Sequence, residues 1–371
     1  MTLMEPFNAD ILIPVWNRPV ETRNCLVTLM ATAPAARIIL LDNGSDRETE
    51  RLLEEFAEVL GDRALLIKTN ANQGLIRAVN RGLERAEAPC AVIVRNTTIV
   101  SEGWLEPMLD LVASRPEAGL VVPRLVREGS GRKGKKVSDA PLVTEIAHGS
   151  FAALLVRKNL FQRQGGFDEE LDGGVWCLKD YSRRALSNGF LTFAAEGPAC
   201  IWTEEPALGS VARREETVRR SAAVYGERWG REESFFVYWS KDADPEAVRE
   251  RFSVVLRGAR MGHRFTVLVH PSLHKALVEA GSGSLHRNIR IEPLPRFFAT
   301  GEIRKVHARL VAETGDTVTV SGGDGLAVPG VEGARPFSWL EEAVQLREDS
   351  CYRAGGAEFR MTRSTDSATL I

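Results

Sequence analysis

Apolar residues fall along this chain in two alternating rhythms. Short continuous β-branched runs, the signature of strands buried on both faces, are separated by stretches whose apolar positions recur at helical spacing. The runs over Asp10–Trp16, Arg37–Leu41, Ala64–Lys68, Ala91–Val94, Ala118–Leu125 and His148–Val156 predict strands, joined later by Phe190–Ala194 and Ala199–Trp202. Helices are predicted from Pro19 to about Met30, along Leu52, Leu53, Phe56, Val59 and Leu60, and through Ala78, Asn80 and Leu83. Further helices are predicted over Trp104–Ala113, Asn159–Gln164, Trp176–Ser187 and Val211–Trp229. Pro19 suits the first helical position, with Asn17 or Arg18 near the cap, and Gly61 and Asn188-Gly189 supply stops.

After Gly230 the rhythm restarts, with strands expected at Phe235–Ser240, Phe265–His270, Ile289–Leu294 and Thr317–Ser321. Pro245–Arg257, Leu273–Glu279 and Glu302–Glu313 read as the helices between them. The expected fold class is therefore α/β: a mainly parallel sheet over residues 1–230, a smaller α/β domain over 231–330, and a C-terminal helix (Phe337–Leu346) and tail over 331–371.

Composition narrows the picture. The chain has 371 residues, 44% hydrophobic and 26% charged, which suits a soluble globular protein with ordinary cores. A net charge of −2 gives no electrostatic argument for nucleic acid or membrane. Cys25, Cys90, Cys177, Cys200 and Cys351 are odd in number and never spaced as C-x-x-C, which favours a reducing compartment over a disulfide framework or zinc site. With no spanning apolar run and no basic leader before Glu5 and Asp10, the expected location is cytoplasmic, with peripheral membrane or protein attachment left open.

Candidate chemistry lies where buried strands turn polar, since ligands of open α/β sheets sit outside the carboxyl ends of the strands. Those places are Asn17-Arg18, Asp42-Asn43-Gly44-Ser45-Asp46, Asn70 to Gly74, and Arg95-Asn96-Thr97-Thr98. Taken alone, Asp42-Asn43-Gly44 is a capping turn, Asn17 a cap, and Gly74 a turn glycine. The basic run Arg127–Lys136 reads as a solvated loop or as a lid carrying cations. Ser321-Gly322-Gly323-Asp324-Gly325 reads as a tight turn, since no P-loop lysine follows.

In order and spacing, these segments resemble the family 2 glycosyltransferases. Ile13-Pro14-Val15-Trp16-Asn17-Arg18 is similar to the family's I-P-x-Y-N-R, and Leu41-Asp42-Asn43-Gly44-Ser45 to its V-D-N-G-S. Asn72-Gln73-Gly74 with Ala78, Asn80 and Gly82 is similar to N-x-G…A-x-N-x-G, and His148-Gly149 with Gly165-Gly166-Phe167-Asp168-Glu169 to G…GGFDE. The resemblance covers the first ~230 residues and implies a nucleotide-diphospho-sugar-binding domain. It places Pro14, Trp16, Asn17, Arg18, Asp42, Asn43, Gly74, Arg77, Asn96 and Thr97 around a UDP- or dTDP-sugar donor, and implies a glycan or lipid-linked acceptor as in polysaccharide biosynthesis.

The pattern breaks at the chemistry. The family's D-x-D, whose carboxylates hold Mg²⁺ or Mn²⁺, is replaced by Arg95-Asn96-Thr97, so no metal ligands are expected there. The family's E-D-x-D loses its first two acids to Cys177 and Leu178 and keeps Asp180, and Thr203 stands where a histidine is usual, beside Glu204 and Glu205. Two readings follow. In one, Arg95, with Lys133, Lys135 or Lys136, supplies the cation in a metal-independent transfer, and Asp180 or Glu204 is the base. In the other the chain is a non-catalytic nucleotide-sugar or glycan-binding module or scaffold.

Overall fold

The computed structural model describes residues 7–129, 143–203, 211–279, 285–295, 299–323 and 325–355. Two compact units are present, and the boundary between them falls within a helix, after Tyr225. The first comprises the chain to Val143 and His148–Tyr225. In chain order, its elements begin β1 (Asp10–Val15), α1 (Pro19–Thr32), β2 (Arg37–Asp42), α2 (Arg47–Leu60), β3 (Ala64–Lys68), α3 (Leu75–Arg85) and β4 (Cys90–Val94). They continue β5 (Thr98–Ile99), α4 (Glu106–Ser114), β6 (Ala118–Val122), β7 (Leu125–Arg127), β8 (Val143–Glu145), β9 (Ala153–Arg157), α5 (Lys158–Gln164), α6 (Trp176–Ser187), β10 (Leu191–Ala195), β11 (Cys200–Trp202) and α7 (Val211–Trp229).

The main sheet runs β3-β2-β1-β4-β9-β6-β10-β8. β1 to β4 are parallel, as the alternation of strands and helices predicts, and β10 is parallel to β6. β9 runs antiparallel between β4 and β6, pairing Ala91 with Val156 and Ile93 with Leu154. Both faces of these central strands are covered: Ile11, Ile13, Ile38, Leu40, Val92, Val94, Ala153 and Leu155 join one core cluster with Leu26 and Leu29 of α1, and the alternate residues Leu12, Ile39, Leu41 and Ile93 are buried on the other face. The single strand expected over Ala118–Leu125 is two, β6 and β7, parted at Pro123, which has no N–H for a ladder. β5, β11 and β7 form a second small sheet.

On α2 the buried stripe is Leu52, Leu53 and Leu60 with Phe56 half-buried, whereas Val59, expected on the inner face, is 73% exposed. Asp46 caps this helix, its carboxylate accepting from Thr49 N at 2.9 Å, and that bond lowers its pKa. Asp46→Ala should cost about 1 kcal/mol in urea unfolding at pH 7. Because the folded-state pKa is depressed, the contribution is present above the usual carboxylate range, and the difference between the two proteins should vanish as pH falls through it.

The second unit comprises Gly226–Gly356 together with Thr144–Ala147. Its elements are β12 (Ser234–Trp239), α8 (Pro245–Arg260), β13 (Arg264–Val269), α9 (Pro271–Glu279), β14 (Ile289–Pro293), α10 (Ala299–Thr314), β15 (Thr317–Ser321) and α11 (Phe337–Gly355). The four strands are parallel in the order β14-β13-β12-β15. Two features differ from the expected boundaries. The helix expected over Phe337–Leu346 extends to Gly355 and belongs to this unit, because Phe337, Leu340 and Val344 are buried in it. The stretch from Thr144 joins it through Glu145, which accepts from Arg260 at 2.6 and 2.7 Å and bonds the backbone of Leu285 and Arg287. The Gly322 turn is tight, as expected, with Gly322 N donating to Tyr238 O and Ser321 Oγ to Gly323 O. Among the described residues no helix is long and apolar enough to cross a membrane.

Candidate functional site

Three loops meet beyond the carboxyl ends of β1, β2 and β3, and side chains named in the sequence hold them together. Asn17 and Arg18, between β1 and α1, have φ of 58° and 64°, the only non-glycine residues with positive φ among those described. Strain of this kind persists only where surroundings impose it. Here Asn17 N donates to Ser45 Oγ at 3.1 Å and its Oδ1 accepts from Asp46 N at 2.8 Å, so the β1–α1 loop is fastened to the β2–α2 loop. Arg18 pairs with Glu21 at 3.4 Å. Pro14 is buried in β1 beyond Leu12, the last residue paired with β4, so its missing N–H breaks no bond. Trp16 follows, half-buried.

Asp42 ends β2 and is 4% exposed. Its Oδ1 accepts from Ser45 N at 2.9 Å, and Oδ2 accepts no hydrogen bond among the described residues. Asn43 fastens the next loop: its Oδ1 accepts from Gln73 N, and its Nδ2 donates to Asn72 Oδ1 and to Gly74 O. Its amide is thereby spent on joining two loops, and it was expected instead to contact a ligand. Gly44, at φ +70°, lies so close to Ala71 that a Cβ would stand 2.5 Å from that backbone. Gly74 has φ +92° and precedes α3, and a Cβ there would stand 3.3 Å from Asp172 Oδ2. Arg77 reaches Glu169, Nε to Oε2 at 2.7 Å, and Asn80 holds Phe167 by both N–H and carbonyl. The α3 face is thus bound to the Gly165–Glu169 turn.

The cluster after β4 is arranged differently from the expectation. Arg95 is half-buried, its backbone fixed to Ala152 O and Thr98 N. Asn96 and Thr97, expected to contact the ligand, are each 3% exposed and turned into the protein. Asn96 Nδ2 donates to Thr22 Oγ1 of α1, and Thr97 Oγ1 donates to Thr203 O. Thr203 Oγ1 in turn donates to the exposed Glu128, a carboxylate that no motif signalled. Among the described residues no group of three His, Cys, Asp or Glu could hold a metal ion. Arg95, Asn96, Thr97 and Thr203 offer no anionic oxygen to a divalent cation, and Glu128 beside them brings a single carboxylate, so the described donor set is a poor fit for one. Glu204, Glu205, Lys133, Lys135 and Lys136 lie outside the described residues.

Asp180, expected as a base, is fully buried, and its Oδ2 accepts from Arg184 Nε at 2.8 Å. Arg184 also donates to Gln164 O and Gly166 O. The pair clamps α6 to the Gly165-Gly166 turn, and a carboxylate so enclosed has no path to a substrate hydroxyl. The acid that does reach the crevice is Asp172, at the end of the short 3-10 turn Glu169–Leu171. The residue is exposed overall, but partial desolvation of its carboxyl by the surrounding loop and the charge of Glu169 raise its pKa, with Arg77 opposing. Sequence reasoning missed it; the signal was an acid placed before two glycines, Gly173-Gly174, in the loop leading to α6. Cys177, in the first turn of α6, is pushed up to about 12 by burial and by Asp172, and is a protonated core thiol at neutral pH.

Residues 10–186 match the family model described as glycosyl transferase family 2. An 80-residue stretch is 32% identical to polypeptide N-acetylgalactosaminyltransferase 5 of Caenorhabditis elegans, covering 21% of this chain and 13% of that protein. A 119-residue stretch is 35% identical to polypeptide N-acetylgalactosaminyltransferase 4 of Mus musculus, covering 31% and 20%. The chain thus spans a fifth or less of the length of these curated relatives. A crystal structure of GalNAc-T7 with UDP, GalNAc and Mn²⁺ superposes with a TM-score of 0.50 at 13% identity, over 67% of this chain and 51% of that one, a likeness of fold alone. The sheet order and the family match cover the same part of the chain: residues 10–186 match glycosyl transferase family 2 on an α/β domain with a mainly parallel sheet.

Proposed function

We propose that the first unit binds a nucleoside-diphosphate sugar, a UDP- or dTDP-sugar, outside the carboxyl ends of β1, β2 and β3, and moves the sugar to a hydroxyl of a glycan or lipid-linked acceptor without a divalent ion. The observation that carries this reading is the set of fastened loops around Asp42. Its Oδ2 accepts no hydrogen bond among the described residues, and its Oδ1 is held by Ser45 N, an arrangement suited to accept the imide N–H of a pyrimidine base. Gly74 has no side chain to hinder a close backbone approach, and Asn17 and Arg18, on the adjoining loop, are the polar groups assigned to ribose and phosphate. The UDP and GalNAc held by GalNAc-T7 in its crystal structure support the same class of donor.

Metal independence is supported by the donor set after β4, where Arg95 replaces an anionic ligand with a fixed cation. A guanidinium beside a departing diphosphate stabilises the charge that develops as the sugar–phosphate bond breaks. In the transfer the acceptor oxygen bonds to the anomeric carbon, the bond to the β-phosphate oxygen breaks, its electron pair leaves with the nucleotide, and the acceptor proton passes to a protein carboxylate.

Calorimetric titration with UDP tests the reading. The dissociation constant should agree within about threefold with 1 mM Mn²⁺ and with excess EDTA, since a metal-bridged diphosphate would lose far more than ~1.4 kcal/mol on chelation. Binding that requires Mn²⁺ overturns metal independence, and absence of UDP binding overturns the donor site. A second reading, a non-catalytic nucleotide-sugar-binding module or scaffold, is favoured by one observation: Asp180, the remaining acid of the family's base motif, is sealed in an ion pair. It expects equal UDP binding and no turnover.

A further inference from the structure

We propose that Asp172 is the base that accepts the proton of the attacking hydroxyl, in place of the sealed Asp180. This inference rests on the donor-site reading above. Five other acids named at the site each have a protein partner for at least one carboxylate oxygen. Asp42 and Asp46 hold backbone N–H groups of the β2–α2 turn, Asp168 holds Glu170 N, Glu169 is paired with Arg77, and Asp180 is enclosed with Arg184. The Asp172 carboxylate accepts no hydrogen bond and makes no ion pair among the described residues, although its residue is exposed and its Oδ2 faces Gly74 of the strand-end loops.

Its backbone, by contrast, is fixed on both sides. Leu171 before it is fully buried. Gly173 after it donates to Ser221 Oγ of α7 at 3.1 Å, and is pressed so closely that a Cβ would stand 2.5 Å from Thr217 O. A carboxylate held in place by its neighbours but left without a partner is arranged for a ligand, not for the fold. The titratable groups facing it are Glu169 from the same loop, Arg77 from α3 and Cys177 from α6. Partial burial and Glu169 raise its proton affinity, which suits a base working nearer neutrality than a free carboxylate. In the step, the hydroxyl O–H bond breaks toward an Asp172 carboxylate oxygen as the O–C1 bond forms, and the C1–O bond electrons leave on the nucleoside diphosphate.

The experiment uses the full chain, with UDP-GlcNAc, UDP-GalNAc and UDP-glucose as donors, water as acceptor, and UDP release as the measurement. Asp172→Asn should lower kcat by about 100-fold or more on whichever donor the wild type turns over, leave the UDP dissociation constant within about twofold, and abolish the acidic limb of the kcat–pH profile, which Asp172→Glu restores in part. Its Tm at neutral pH should equal or exceed that of the wild type. A raised folded-state pKa means that ionised Asp172 opposes folding as pH rises through that value, and the amide removes this cost. A wild-type rate in Asp172→Asn, a change confined to KM, or a lowered Tm overturns the assignment while UDP binding stands. Wild-type protein that binds UDP but releases none from the three donors also overturns it. Failure of the wild type to bind UDP overturns the donor-site reading itself.

Discussion

Asp180→Ala should destabilise the first unit by about 3–5 kcal/mol, read as a lowered urea midpoint, while the folded protein keeps the UDP affinity of the wild type. The carboxylate and Arg184 are 0% and 6% exposed, and they meet at 2.8 Å. Removing the acid leaves a guanidinium closed off from water without its carboxylate, beside the carbonyls of Gln164 and Gly166 and the ring of Tyr181. The cost of an uncompensated buried charge far exceeds the modest net value of the intact pair. A catalytic Asp180 predicts in addition that the variant loses turnover per folded molecule, so donor hydrolysis measured where the variant is folded separates the two roles.

Gly44→Ala should cost about 2–4 kcal/mol and raise the UDP dissociation constant by about tenfold or more. Two terms add. The residue sits at φ +70°, where an L side chain is strained by roughly 1–2 kcal/mol. The new Cβ would also stand 2.5 to 2.8 Å from three backbone atoms of Ala71, which cannot rotate aside as a side chain would. The β2–α2 and β3–α3 loops must then separate. Asn43, whose amide joins them through Gln73, Asn72 and Gly74, loses its geometry, and Asp42 moves with it. Gly61→Ala is the control. It also has positive φ but meets nothing within 4 Å, so it should show only the strain term and unchanged UDP affinity.

Much of this site is legible in the sequence as position and little of it as contact. Asp42, Asn17 and Gly74 stand out because strand-end turns of an open sheet gather ligands, and the structure brings their loops together. Asn43, Asn96 and Thr97 come from the same reasoning, yet their side chains hold neighbouring segments. Sequence gives the chemistry of a polar group but not the direction it points. Asp172 escapes a reading of motifs for a related reason. Its distinction is a carboxylate without a partner among the described residues that also faces Gly74 of the strand-end loops, which shows only once the loops are placed together.

The amino-acid order alone determined the alternation of strands and helices, the parallel run of β1 to β4, and the absence of a carboxylate from Arg95-Asn96-Thr97 after β4. Each follows from local periodicity or from residue type, which no packing alters. Only the tertiary structure decided that β9 enters antiparallel between β4 and β6, that α11 and Thr144–Ala147 complete the second unit, and that Asp180 is sealed while Asp172 is not. These depend on contacts between residues far apart in the chain. Burial and pairing are properties of those contacts, and the same carboxylate is a structural ion pair or an available base according to which neighbour arrives.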